Sequence, residues 1–231
     1  MHPSWNDTID RCYSTLDPKY REFLQNSKDY FPQKQAMFNA FNLPKNKTKY
    51  ILFGQDPYPR EHSAIGYAFI DAKVKEIFSS TGLSKEVNRA TSLRNFIKMC
   101  LFTAGYIDKS ASQQQIANLD KSKFINSIEE LKDNFLANGV CLLNMALVFE
   151  TKQRSRYHIK AWRPFVYELL KSLEDESIEL ILFGSIAKEI EKFGFNYKLH
   201  QMPHPYNTSF IQNDRAKELF LPMKLINKRK F

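Results

Sequence analysis

The chain has 231 residues, 43% of them hydrophobic, which is enough to bury a substantial core in one compact domain. Its formal net charge is +9, so it attracts polyanions such as nucleic acid, although charge alone does not establish that it binds them. The three cysteines, Cys12, Cys100 and Cys141, lie far apart, which argues against a zinc site and against a disulfide framework.

The N-terminus, MHPSWNDTID, lacks the charged start and apolar run of a signal peptide. No stretch approaches the roughly 20 apolar residues that span a bilayer. The sequence therefore predicts a cytoplasmic protein that uses no metal and no other cofactor and does not associate with membranes. Monomer is the default expectation.

Two helices are predicted in the first 45 residues. Asp17 and Pro18 are typical of the start of a helix that runs through Leu24. Pro32 is typical of the first turn of a second helix that reaches Phe41.

Four apolar runs then predict the strands of a sheet: Tyr50–Phe53, Val140–Leu143, Leu180–Phe183 and Tyr197–Met202. Apolar residues at three- and four-residue steps predict helices at Leu93–Phe102, Ile128–Leu136, Trp162–Leu173, Ile186–Phe193 and Asp214–Ile226. This alternation predicts an α/β fold with a short, mostly parallel four-stranded sheet flanked by helices. We expect a single domain over 1–231, with a helical N-terminal segment (1–45) and an α/β core (46–231).

Polar and aromatic side chains follow three of the predicted strands. Asp56 and Tyr58 come after the first strand, Asn144 after the second and His204 after the fourth. In sheets of this kind, ligands bind beyond the carboxyl ends of the strands. Each residue alone is compatible with an ordinary loop. Together, with Phe69 as a ring for stacking, they favour a pocket for a planar polar ligand.

Ordered segments between about residues 50 and 210 resemble the uracil-DNA glycosylases. Gly54–Tyr58 matches the GQDPY segment that opens the active site of that family. The other matches are Gly66–Phe69 to GLAF, Thr91–Asn95 to PSLKN or PSLRN, Gly139–Asn144 to GVLLLN, Trp162 and Phe165 to WxxF, and His204 with Pro205 to the head of HPSPLS. A single short match carries little weight, whereas an ordered series is hard to produce by chance.

The resemblance implies an enzyme that hydrolyses the N-glycosidic bond of uracil in DNA by base flipping and leaves an abasic site for base excision repair. Asp56 would position the attacking water and stabilise the sugar cation, and His204 would donate to uracil O2. Asn144 would pair with O4 and N3–H of uracil, a pattern that cytosine reverses. The alternatives are a turn-capping aspartate, a buried histidine bonded to a backbone carbonyl, and an asparagine bonded to the adjacent loop.

The same resemblance implies further contacts with the base and with DNA. Gln55, Tyr58 and Phe69 would line the uracil site, where Tyr58 excludes the thymine methyl group and Phe69 stacks; either ring could instead belong to the core. Ser92 and Ser209 would hold phosphates, and Ser92 could also be a helix N-cap. The basic stretch 152–163 could contact the DNA backbone or simply form a solvated face.

The chain departs from the family pattern at two places. Pro59 stands where the bacterial segment GQDPYH has histidine. A proline at this position resembles the poxviral branch of the family. In the segment 204–209, Tyr206 replaces a phosphate-contacting serine, and Thr208 replaces the leucine that wedges into the base stack. The intercalating residue would then be Tyr206, Thr208 or Phe210. We expect a weaker preference for double-stranded over single-stranded DNA than a leucine wedge would give.

Two other functions stay open at this stage. The altered loop after His204 is compatible with a catalytically silent relative that acts as a DNA-binding or scaffold protein. The second possibility is a glycosylase of the same fold that prefers another base.

Overall fold

The computed structural model describes residues 1–110 and 112–229. Their strands are β1 Tyr50–Gly54, β2 Phe78–Ser79, β3 Gly82–Leu83, β4 Val140–Asn144, β5 Glu179–Phe183 and β6 Leu199–Met202. Their α-helices are α1 Asn6–Ser14, α2 Pro18–Asn26, α3 Lys85–Arg89, α4 Thr91–Thr103, α5 Gln113–Ala117, α6 Ile128–Ala137, α7 Ser155–Leu173, α8 Ile186–Glu191 and α9 Asp214–Phe220. The main sheet has the order β4-β1-β5-β6, and β2 and β3 form a separate hairpin.

The centre of the main sheet is parallel. Strand β1 runs parallel to β4 and to β5, with Tyr50 opposite both Val140 and Glu179. Strand β4 is buried along its whole length, as expected for a parallel strand that is covered on both faces. The predicted α/β fold with a four-stranded sheet and flanking helices is therefore confirmed.

The chain divides into two compact units, one formed by 1–71 and 139–199 and the other by 72–138 and 200–231. The predicted division of 1–231 into a helical segment and an α/β core stays a prediction. No helix in the described residues has the length and apolar character that crossing a membrane requires.

In the first unit, the N-terminal helices contribute to the hydrophobic core. Trp5, Phe41, Trp162 and Phe165 are all 0% exposed, and the indole of Trp5 donates to the Leu43 carbonyl at 2.7 Å. Helix α2 begins as the sequence predicts. The Asp17 carboxylate caps its first turn by accepting backbone N–H bonds at 2.9 and 3.2 Å.

The prediction of a helix after Pro32 is wrong. Residues 34–38 form turns, followed by a short 3₁₀ helix at Asn39–Asn42. The backbone of this segment is shaped by a neighbouring loop, because the Asn39 side chain donates to the Ile65 carbonyl at 3.0 Å. A Cβ on Gly66 would overlap the Ala36 carbonyl, so the two segments touch backbone to backbone.

In the second unit, helices α4, α6 and α9 surround Phe96. Its ring lies 5.6 Å from that of Phe135, 6.0 Å from Phe210 and 5.1 Å from Phe220. Helix α9 ends at Phe220, so the prediction of a helix to Ile226 is wrong. Pro222 explains the early end, because proline has no N–H for the helical ladder.

Helix α7 is longer than predicted. It begins at Ser155, seven positions before Trp162, and Pro164 lies inside it. The added turns carry polar and basic residues that obscure the apolar periodicity on which the prediction depends.

Candidate functional site

In the first unit, the loop after β1 is held against the segment after β4. The Met145 N–H donates to the Gly54 carbonyl at 2.8 Å, and the Ala146 N–H donates to the Gln55 carbonyl at 3.0 Å. Gln55 is thus tied through its backbone, while its side chain is exposed. Because Gly54 pairs with Asn144, residues just beyond both positions lie at the carboxyl ends of adjacent strands.

Asp56 is half-buried in this loop, and its carboxylate accepts a hydrogen bond from the Ser155 hydroxyl at Oδ2. Ser155 is the first residue of α7, so the carboxylate also lies at a helix N-terminus, whose partial positive charge stabilises an anion. This contact fixes one carboxylate oxygen. The sequence does not predict this role for Ser155, because its only signal is a serine in the polar run before Trp162.

Asn144 ends β4 and is only 5% exposed. Among the described residues, its side-chain amide has no hydrogen-bond partner, so the alternative of an asparagine bonded to the adjacent loop is not observed. Gly54 makes room for this amide, because a Cβ there would overlap Asn144 Oδ1. A ligand with a matching donor and acceptor would supply the hydrogen bonds that this amide does not make within the described residues.

Tyr58 is half-buried, and its hydroxyl donates to the Phe69 carbonyl at 3.4 Å. Burial raises the pKa of Tyr58 well above its ordinary value, Asp71 raises it further and Arg60 lowers it. The phenol therefore stays protonated at neutral pH and presents a rigid, uncharged ring.

Phe69 has a left-handed backbone, with φ of 68°. A bulky residue in this region is strained, and such strain clusters at ligand sites. The neighbouring Ala68 N–H donates to the Leu142 carbonyl at 2.9 Å, which ties the segment to β4. The half-buried Phe69 ring lies 6.2 Å from that of Phe183.

His158 belongs to a buried network and not to the basic surface suggested by its neighbours. It is 0% exposed, the Tyr20 hydroxyl lies 2.6 Å from its Nδ1, and Glu150 Oε2 lies 3.2 Å from its Nε2. Burial lowers the pKa of His158, although Glu150 opposes the shift. A neutral ring that donates from Nε2 to Glu150 and accepts from Tyr20 at Nδ1 satisfies all three groups.

In the second unit, His204 follows β6, and its Nδ1 lies 3.1 Å from the backbone N–H of Tyr206. A backbone N–H can only donate, so Nδ1 is the acceptor and the proton of a neutral ring lies on Nε2. The residue is exposed overall, and partial desolvation of its ring lowers the pKa of His204. The side chain is therefore a neutral donor through Nε2 at physiological pH.

Asn95 fixes the loop that carries His204. It is 2% exposed, and its amide donates to the Pro205 carbonyl at 2.8 Å and to the Tyr206 carbonyl at 3.2 Å. Asn95 lies in the segment that resembles PSLKN or PSLRN, but that resemblance alone predicts no role for it. The structure identifies it as a positioning residue for the loop after β6.

Ser92 lies in the first turn of α4, half-buried. The N-cap of this helix is Ala90, which makes no side-chain capping bond, so Ser92 is not the N-cap. Ser209 and Thr208 are exposed in a short 3₁₀ helix, Thr208–Phe210.

The three residues considered for intercalation differ in exposure. Tyr206 is 67% exposed, and Thr208 is also exposed. Phe210 is 0% exposed and its ring stacks on Phe96, so it cannot insert into DNA without leaving the core. We retain only Tyr206 and Thr208 as candidates.

Several known proteins resemble this chain in sequence and in structure. The wild-type UNG of Nitratifractor salsuginis is 48% identical, with a TM-score of 0.95 over 99% of this chain and 94% of that one. The uracil-DNA glycosylase of Aliivibrio salmonicida is 28% identical over 216 residues, which cover 89% of this chain and 83% of the relative. That of Corynebacterium glutamicum is 26% identical over 207 residues, 84% of this chain and 75% of the relative.

Mimivirus uracil-DNA glycosylase, at 19% identity and a TM-score of 0.60 over 89% of this chain and 69% of that one, shares the fold. No family model matches the chain. Nearly complete coverage at 48% identity nevertheless establishes the relationship. The chain belongs to the uracil-DNA glycosylase family.

Proposed function

We propose that this protein hydrolyses the N-glycosidic bond of uracil in DNA and thereby starts base excision repair. The observation that carries the proposal is the buried Asn144 amide, which has no partner among the described residues and ends the strand beside the Asp56 loop. Uracil O4 and N3–H offer the acceptor and the donor that this amide requires.

Breaking the glycosidic bond builds positive charge on the deoxyribose and negative charge on the departing uracil. Asp56 stabilises the first and orients the attacking water with the carboxylate oxygen that Ser155 does not engage. His204 stabilises the negative charge on the departing uracil by donating a hydrogen bond from its Nε2–H to uracil O2. A neutral histidine suits this role, because it donates without needing to be protonated first.

Selectivity for uracil depends on the groups around the base. Cytosine reverses the pattern of O4 and N3–H, so both groups of the Asn144 amide would stay unpaired against it. Tyr58 fills the space beside C5 and rejects the thymine methyl group, Phe69 stacks on the ring, and Gln55 completes the site. The strained backbone of Phe69 supports its assignment to a ligand site.

The substrate strand is held by Ser92 and Ser209 while the uracil nucleotide is flipped out. Tyr206 or Thr208 fills the vacated stack, and the 67% exposure of Tyr206 favours it over the smaller threonine. Because neither residue is the leucine of the family pattern, we expect single-stranded substrates to be cleaved at rates comparable to double-stranded ones. A strong duplex preference would contradict this expectation.

The proposal also includes a monomeric, cytoplasmic protein that is one domain over 1–231 and acts without a metal or other cofactor. Size-exclusion chromatography with light scattering tests the monomer directly.

The proposed activity is tested with oligonucleotides that each contain one U, T, C or hypoxanthine, with chelator present. We expect abasic sites at U alone, a large loss of rate for Asp56→Asn, and no loss for the matched variant Asp29→Asn at an exposed carboxylate. Absence of base release would favour a scaffold protein. Release of another base instead of uracil would favour a different specificity.

A further inference from the structure

The second unit contains a cavity of about 770 Å³ beside the 3₁₀ helix that carries Ser209. Helix α4 forms one wall, and Lys109, Ser110 and Gln113 form another. The side chains that matter for its chemistry are Arg94, Lys98, Lys109, Thr208 and Ser209.

The cavity is strongly cationic. Arg94, Lys98 and Lys109 line it, and no carboxylate does so among the described residues. None of the ion pairs found in residues 1–110 and 112–229 involves these three side chains. Burial lowers the pKa of Lys98, and the nearby Arg94 lowers it further.

Arg94 and Lys98 lie one helical turn apart on α4, a spacing at which like charges destabilise a helix. An anion bound between them would offset the repulsion between the two positive charges. Two cations that form no ion pair within the described residues and face one cavity are therefore better explained by a ligand than by helix stability.

The Arg94 side chain is oriented before any ligand arrives. Its Nη1 donates to the Asn88 carbonyl at 3.0 Å, and the Asn88 amide donates to the Leu83 carbonyl at 3.0 Å. Gln113, from the opposite wall, donates to the same Leu83 carbonyl at 3.1 Å. Fixing the guanidinium in advance reduces the entropic cost of binding, as expected of a built anion site.

We propose that this cavity binds a backbone phosphate of the substrate DNA strand through Arg94 and Lys98, one or more nucleotides beyond the phosphate held by Ser209. The inference rests on the proposed function, because it extends the path of the same strand. It also predicts that affinity, and not the chemical step, depends on substrate length.

The test compares Arg94→Gln/Lys98→Gln with Lys171→Gln/Lys188→Gln, which removes the same charge from exposed positions of the other unit. On a single-stranded uracil substrate of about 15 nucleotides, we expect the first variant to raise KM at least about 5-fold with kcat unchanged. The slope of log KM against log salt should fall by about 0.7 for each phosphate that the variant no longer neutralises. On a uracil trinucleotide, kcat and KM should match wild type, which also shows that the variant is folded.

Several results would overturn the inference. One is a KM and salt slope equal to those of the control variant on the long substrate. Another is an equal rise in KM on both substrates, which would indicate a general defect and not a contact with DNA beyond the trinucleotide. A third is a failure of Arg94→Lys to retain more affinity than Arg94→Gln.

If the wild-type protein releases no uracil from either substrate, the proposed function is rejected, but the proposal for the cavity is not. Fluorescence anisotropy of a uracil-free single strand then still tests the cavity. Weaker binding by the Arg94→Gln/Lys98→Gln variant than by the control supports it, and equal binding rejects it.

Discussion

Replacing Ser155 by alanine is expected to slow uracil release without weakening substrate binding. The Ser155 hydroxyl donates to Asp56 Oδ2, so it fixes the carboxylate that orients the attacking water. Removing it leaves the carboxylate able to rotate. Contacts with the base and the phosphates are made by other residues and should stay intact.

The size of the effect follows from the environment of Asp56. A hydrogen bond to a charged group contributes about 1.5–3 kcal/mol, and water can replace part of it because Asp56 is only half-buried. The lower end of that range applies, and about 1.4 kcal/mol corresponds to a tenfold change in rate. We therefore expect kcat to fall about tenfold with KM unchanged.

Steady-state kinetics on a single-stranded uracil substrate measure both constants. Ser155→Thr keeps the hydroxyl and should recover most of the rate, and Ser172→Ala, farther along the same helix, should match wild type. The reasoning is refuted if Ser155→Ala keeps full kcat, or if Ser155→Thr is as slow as the alanine variant.

Three further predictions concern Gly54, Asn95 and His158. Gly54→Ala should raise KM for uracil substrates about tenfold, because the new Cβ would displace Asn144 Oδ1; an unchanged KM would contradict this. Asn95→Ala should lower the free energy of unfolding in urea by about 1–3 kcal/mol and also lower kcat, because the variant cannot make the two buried hydrogen bonds to the His204 loop. His158 should make stability fall as pH drops below its ordinary pKa of 6.5: burial lowers its pKa in the folded state, so the unfolded state takes up the proton first. Urea unfolding at several pH values should show a flatter dependence for His158→Gln than for wild type, and equal slopes would argue against this cause.

Strands β1 and β4 were predictable because their signal is local. Tyr50–Phe53 and Val140–Leu143 are apolar runs bounded by glycine and polar residues, and the structure extends each by one residue. Strands covered on both faces need apolar side chains at every position, so no partner has to be known to find them. The polar residues that follow these runs were predictable for the same reason.

The elements that were missed depend on contacts between distant parts of the chain. Ser155 and Asp56 are 99 positions apart, and Asn95 is 110 positions from Pro205. No local pattern indicates either pair. The turns after Pro32 are likewise shaped by the loop around Ile65, which overrides the helical signal of the sequence.

The claim that the Asn144 amide recognises uracil is tested most directly by Asn144→Asp, with release rates measured on matched oligonucleotides that contain U or C. A carboxylate offers no donor to O4 but accepts from the exocyclic amine of cytosine. We expect uracil release to fall at least about 100-fold, because a buried site would then hold groups without partners, and cytosine release to become detectable. An unchanged ratio of uracil to cytosine release would contradict the account.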